Sequence, residues 1–253
     1  MSRAAQPHTP QSGLAGAGRR PRVLFAHGRS VIGLAVSRVL AAHGFDVEQV
    51  GHADEVHAAL ARKPEFDALV VDVALPGAPG FELTIPAREA GVEVVILVAS
   101  VFRRTSYKRR PLRLYGADDY VEIHHLGDHL PQRLRDHLGL GVSELPAETL
   151  RQVFEVLHQA GDQRLAEESP ESLAGLIVAD LLLYNGDRMA EAESVEQALA
   201  AVAADLDHAR ALFAQVRPEL ARREGEQAPD LIDAAFRKLV ASLDSRSREG
   251  ETR

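Results

Sequence analysis

The chain has no cysteine among its 253 residues, which excludes a disulfide framework and any thiolate-ligated zinc site. No apolar run approaches the roughly 18 residues that a membrane-spanning helix needs. The first residues carry Arg, Pro, Gly and Ser without a continuous apolar stretch, so no secretory signal is expected and the cytoplasm is the expected compartment. Positive charge is scarce in the second half. Residues 141–253 carry a formal charge of −10, leaving +2 for the remainder of the total of −8. Duplex binding draws on clustered Lys and Arg, so this acidic half argues against a DNA-binding output domain. What is present is 45% hydrophobic content over a length sufficient for two modest cores.

Residues 1–21 show no periodicity and are expected to be a disordered lead. From Arg22 the chain alternates short aliphatic runs with amphipathic stretches, the pattern of a parallel sheet covered on both faces by helices. Strands are expected at Arg22 to His27, Phe45 to Val50, Asp67 to Asp72, Val92 to Ala99 and Asp118 to Ile123. Helices are expected around Ser30 to Ala42, Ala53 to Arg62, Phe81 to Ala90, Tyr107 to Tyr115 and Asp128 to Leu138. Gly44, Gly91 and Gly116 each precede a strand, as left-handed helix caps do. Five such units form a flavodoxin-like parallel sheet, whose crevice lies at the strand C-termini. The run FDALVVDVALPGAPGFEL, Phe66 to Leu83, delivers the carboxylate of Asp72 to that edge.

The Asp72 strand, the Leu-Pro-Gly turn after it, the Gly-Phe-Glu-Leu helix entry and the GADDY run at Gly116 to Tyr120 resemble the receiver domains of bacterial response regulators. The resemblance covers about residues 21–138. It implies a (βα)5 fold and a phosphoacceptor role for Asp72. In that family paired acids after the first strand hold Mg²⁺ with the acceptor; here the matching positions are His27 and Gly28. The family's lysine on the fifth strand is matched by Ile123, and its Thr or Ser after the fourth strand by Ser100 or, in another register, Ala99. Imidazole suits Mg²⁺ poorly, and about two negative charges on a phosphoaspartate would lack their usual partners. His27 or Arg29 could in principle supply a substitute cation. A degenerate receiver is therefore expected, with Asp72 an exposed acid at a strand end, no cofactor and no catalytic residue. The alternative is a regulator phosphorylated on Asp72 with weak Mg²⁺ binding.

Two further groups carry expectations. Arg103, Arg104, Lys108, Arg109, Arg110 and Arg113 form a dense basic span suited either to an acidic protein surface or to solvent. Nucleic-acid binding there lacks interleaved aromatics apart from Tyr107. By resemblance Tyr120 belongs to the same partner-facing surface. His124 and His125, as neighbours on a strand, should point to opposite faces, so no metal site is expected.

Beyond Leu140 only helical periodicity remains. Residues 140–146 suggest a linker between a receiver-like domain at 22–139 and an all-α domain at 147–244, with 245–253 a disordered end. A helix at Ala147 to Ala160 is followed by one capped by Ser169 with Pro170 at its first position. LAGLIVADLLLYN, Leu173 to Asn185, is apolar on more than one side and should be the buried centre. Ser194 with Gln197 suggests a capping box for a long helix to Val216, and a last helix is expected near Asp230 to Leu243, the set forming a small bundle. This tail resembles a helical module attached to receivers or zinc-ribbon segments in some bacterial signalling proteins. The combined expectation is a signalling adaptor that works by protein contacts or self-association, with no DNA partner and no membrane span.

Overall fold

The computed structural model describes residues 19–62, 65–100, 111, 114–143, 168–221 and 230–250. Five strands, β1 (Arg22–Ala26), β2 (Asp46–Val50), β3 (Ala68–Asp72), β4 (Val94–Ala99) and β5 (Asp119–Glu122), form one parallel sheet in the order β2-β1-β3-β4-β5. That order is the flavodoxin-like one. β3 and β4 lie at its centre and every residue in them is buried, which is why they are continuous aliphatic runs rather than alternating ones.

The period of two along each strand divides the core into two layers. Val23, Phe25, Val70, Ile96 and Val98 pack on one face against α1 (Ser30–Ala42) and α4 (His129–His137). Leu24, Leu69, Val71, Leu97 and Ala99 pack on the other, against α2 (Ala53–Ala61) and α3 (Thr84–Glu89). The single helix expected at Phe81 to Ala90 is split, entering as a 3-10 turn at Gly80–Leu83. Gly44, Gly91 and Gly116 all have φ near +90°, as expected of left-handed caps.

The second half is helical: α5 (Pro170–Tyr184), α6 (Gly186–Glu191), α7 (Val195–Ala201), α8 (Ala203–Val216), α9 (Pro218–Ala221) and α10 (Leu231–Gly250). Ser169 caps α5 through its side-chain oxygen, with Pro170 in the first turn. Ser194 and Gln197 cap α7, where the Gln197 side chain accepts from the Glu193 amide rather than from that of Ser194. The long helix expected there is broken at Val202, and α10 continues to Gly250 instead of ending near Leu243. The expected helix at Ala147 to Ala160, the rest of the linker beyond Ser143, residues 1–18 and residues 251–253 lie outside the described residues, whereas 245–250 of the expected disordered end are helical in α10.

Among the described residues the C-terminal helices pack on one another and also share a core with the first half. Helix α5 lies between α8 and α10 on one side and the α2/α3 face of the sheet on the other, and a single apolar cluster runs from Leu24 and Leu97 through Leu181 and Tyr184 to Phe236. This explains why α5 is apolar around its whole circumference, with every residue from Leu176 to Tyr184 buried. Each Leu, Ile or Val so enclosed contributes about 1.5–3 kcal/mol.

Candidate functional site

At the C-terminal edge of the sheet four buried polar side chains meet. Asp72 ends β3; His27 and Ser100 each stand one residue beyond the ends of β1 and β4. The fourth, Asp180, comes from α5. Ser100 Oγ donates to Asp72 Oδ1 at 2.7 Å, and the Ala74 amide donates to the same oxygen at 3.1 Å. The Ser100 amide donates to Asp180 Oδ1 at 3.0 Å. Ser100 rather than Ala99 therefore occupies the fourth-strand position, since Ala99 belongs to the opposite face with Val95 and Leu97.

Asp72 is completely buried, which corrects the expectation of an exposed strand-end acid. His27 Nε2 lies 3.5 Å from its Oδ2. The Arg29 amide donates to His27 Nδ1 at 3.1 Å, which holds the ring beside the carboxylate.

Close packing explains two other positions. A Cβ on Gly28 would lie 2.9 Å from two ring carbons of Pro76, so an acidic side chain in place of Gly28 would displace the turn after β3. A Cβ on Gly80 would fall 2.2 Å from the Asp72 carbonyl oxygen, which makes glycine a requirement of the turn after β3. Ile123 is buried with Val121, Leu126 and Leu130, among apolar neighbours.

Asp180 is the functional position that the sequence reading missed. One carboxylate inside a helix enclosed by apolar groups needs a buried partner, but the sequence does not say which. Around it the contact between the halves is specific. Tyr115 Oη donates to the Leu182 carbonyl at 2.8 Å, Tyr120 meets Tyr184 edge-on at 6.3 Å, and Ser242 Oγ donates to Glu82 Oε1 at 2.7 Å. Tyr115 also has φ of +50° and stacks on Phe81 at 4.8 Å. The expected role of Tyr120 on a free partner surface is thus corrected: its ring is buried beneath the chain's own α5. Beside this contact, the Val73 to Pro79 loop, Glu82, Glu171, Ala179 and Lys238 line a cleft of about 780 Å³. The six basic residues Arg103 to Arg113 lie outside the described residues.

The expectation for His124 and His125 also changes, because they are not on a strand. β5 ends at Glu122, and Ile123–His125 form a 3-10 turn in which the two rings lie 4.3 Å apart. Among the described residues, two groups of three could hold a metal ion, Glu122 with His124 and His125, and His125 with Asp128 and His129. Neither includes Asp72 or Asp180. Burial lowers the His129 pKa below its ordinary value; Asp128 pulls the other way, while His125 and Arg133 add to the lowering.

No protein-family model matches the chain, and no curated protein matches it. Among solved structures, a response regulator from Thermotoga maritima is 24% identical, covering 48% of this chain and 99% of its own, with a TM-score of 0.40. A putative response regulator from Chloroflexus aurantiacus is 19% identical over 48% of this chain and 99% of its own, with a TM-score of 0.41. The receiver domain of a Francisella response regulator is 20% identical over 47% and 97%, with a TM-score of 0.39. The N-terminal half has the receiver fold. That assignment rests on the strand order, the parallel register and the position of Asp72, and it applies to residues 22–138 alone.

Proposed function

We propose that the chain is a two-component-type signalling adaptor, an atypical receiver whose acceptor crevice is closed by its own C-terminal helical unit and which acts through protein contacts. The observation that carries this reading is the shared serine. Its hydroxyl is committed to Asp72 and its amide to Asp180, so both groups that would meet an incoming phosphoryl oxygen are engaged within the chain. A phosphoaspartate would add about two negative charges beside a second buried carboxylate. No catalytic residue is assigned in this reading, and its partners are proteins.

Incubating the full chain with Mg²⁺ and acetyl phosphate, followed by intact mass under non-hydrolysing conditions, tests it. No added phosphoryl group is expected. Stoichiometric addition abolished by Asp72→Asn would instead establish the phosphorylation-competent alternative, for which the retained Ser100 to Asp72 hydrogen bond is the favouring feature.

A further inference from the structure

We propose that the His125, Asp128 and His129 side chains, at the junction of β5 and α4, form a binding site for a zinc-class divalent ion. The three donor atoms all lie within 4.8 Å of one another. His125 Nδ1 is 3.2 Å and His129 Nε2 3.6 Å from one and the same oxygen, Asp128 Oδ2. Ligands bound tetrahedrally at about 2.0–2.1 Å from zinc are themselves separated by about 3.3–3.4 Å, so both spacings match edges of such a polyhedron.

The carboxylate is fixed independently of any metal. Asp128 caps α4, its Oδ1 accepting the His129 amide at 2.8 Å, and an outer hydrogen bond of this kind orients a ligand and preserves its geometry. Two imidazoles and one carboxylate make a borderline donor set that suits Zn²⁺ and is a poor match for Mg²⁺ or Ca²⁺. Three protein ligands leave a fourth position for water or for a donor from a partner. The set is reachable: His129 is the most exposed of the three, and His125 and Asp128 are part-exposed. The neighbouring pair Glu122 and His124, 3.2 Å apart, continues the cluster inward and shares His125 with it. The site is separate from the Asp72 crevice and does not depend on the adaptor reading.

The test is calorimetric titration of the full chain, freed of metal with EDTA, with Zn²⁺, using Mg²⁺ as the comparison ion. One equivalent of Zn²⁺ should bind, and His125→Gln and His129→Gln should each weaken binding by about tenfold or more. His208→Gln should leave it unchanged. Asp128→Asn, which keeps a capping oxygen, is a second ligand variant if a histidine variant proves unstable. The proposal is overturned if no saturable Zn²⁺ binding occurs, or if binding persists undiminished in the His125→Gln/His129→Gln double variant, which would place the ion elsewhere. Mg²⁺ binding as tightly as Zn²⁺ would also overturn it.

Discussion

The backbone amide of Ser100, one residue past the fourth strand, donates to the side chain of Asp180, a residue 80 positions further along the chain on a helix of the other half. Through the same serine the buried Asp72 is tied to that helix. Ser100 thus contacts a buried carboxylate of each half.

Removal of the Asp180 carboxylate should show this. Asp180→Ala leaves the buried Ser100 amide without its acceptor and should cost about 1–3 kcal/mol. Asp180→Asn keeps an acceptor oxygen and should cost less. Urea unfolding of both variants checks the order, and equal losses would mean that charge rather than the hydrogen bond holds the contact.

The continuous apolar cluster predicts one cooperative unfolding transition for the two halves, despite their different architectures. Tyr184→Ala, which empties a fully buried position against Tyr120, should lower stability by about 3–5 kcal/mol. Circular dichroism and tyrosine fluorescence should report the same midpoint. Separate midpoints would indicate two independent domains.

Much of the fold was legible in the sequence, and the reasons can be named. β3 and β4 are unbroken aliphatic runs because both faces are covered, and Ser169 with Pro170 marks the start of α5 through local capping chemistry. At the positions matched to the family's pocket the structure sets His27 beside Asp72 and buries Ile123 among apolar side chains. Asp180 was not legible, because its contact with Ser100 depends on how two halves meet, which no local pattern encodes. Tyr120 was misplaced for the same reason. The 3-10 turn at Ile123–His125 was missed because a three-residue change of backbone pitch leaves no periodicity to detect, and it reversed the expectation for the adjacent histidines.

Gly80→Ala should destabilise the protein by about 1–3 kcal/mol, because the added methyl would fall on the Asp72 carbonyl. Gly175→Ala is the contrasting case. It sits inside α5 with nothing within 4 Å of the added Cβ, and it should be neutral or stabilising by up to about 1 kcal/mol. Thermal melts of the two variants check both signs.

Asp119 predicts an acid-side loss of stability. Burial pushes its carboxyl up, but hydrogen bonds from Arg133 and the Tyr120 amide, with the Arg133 charge and His137, hold it below its ordinary value of 3.8. A folded value below the unfolded one means that the contribution is complete above the unfolded value and fades as pH falls through the folded one. Asp119→Asn should therefore destabilise at pH 7 by about 1–3 kcal/mol, and the difference should shrink as the pH falls below 3.8. Parallel urea titrations at neutral and acid pH measure the difference.

Hydrogen exchange at the Ser100 amide tests the closed crevice most directly. In the wild-type chain this amide should be strongly protected, exchanging only when α5 separates from the sheet, and Asp180→Ala should accelerate it well beyond the change seen at buried β3 amides. Fast exchange in the wild type, or a rate unmoved by Asp180→Ala, would contradict the account.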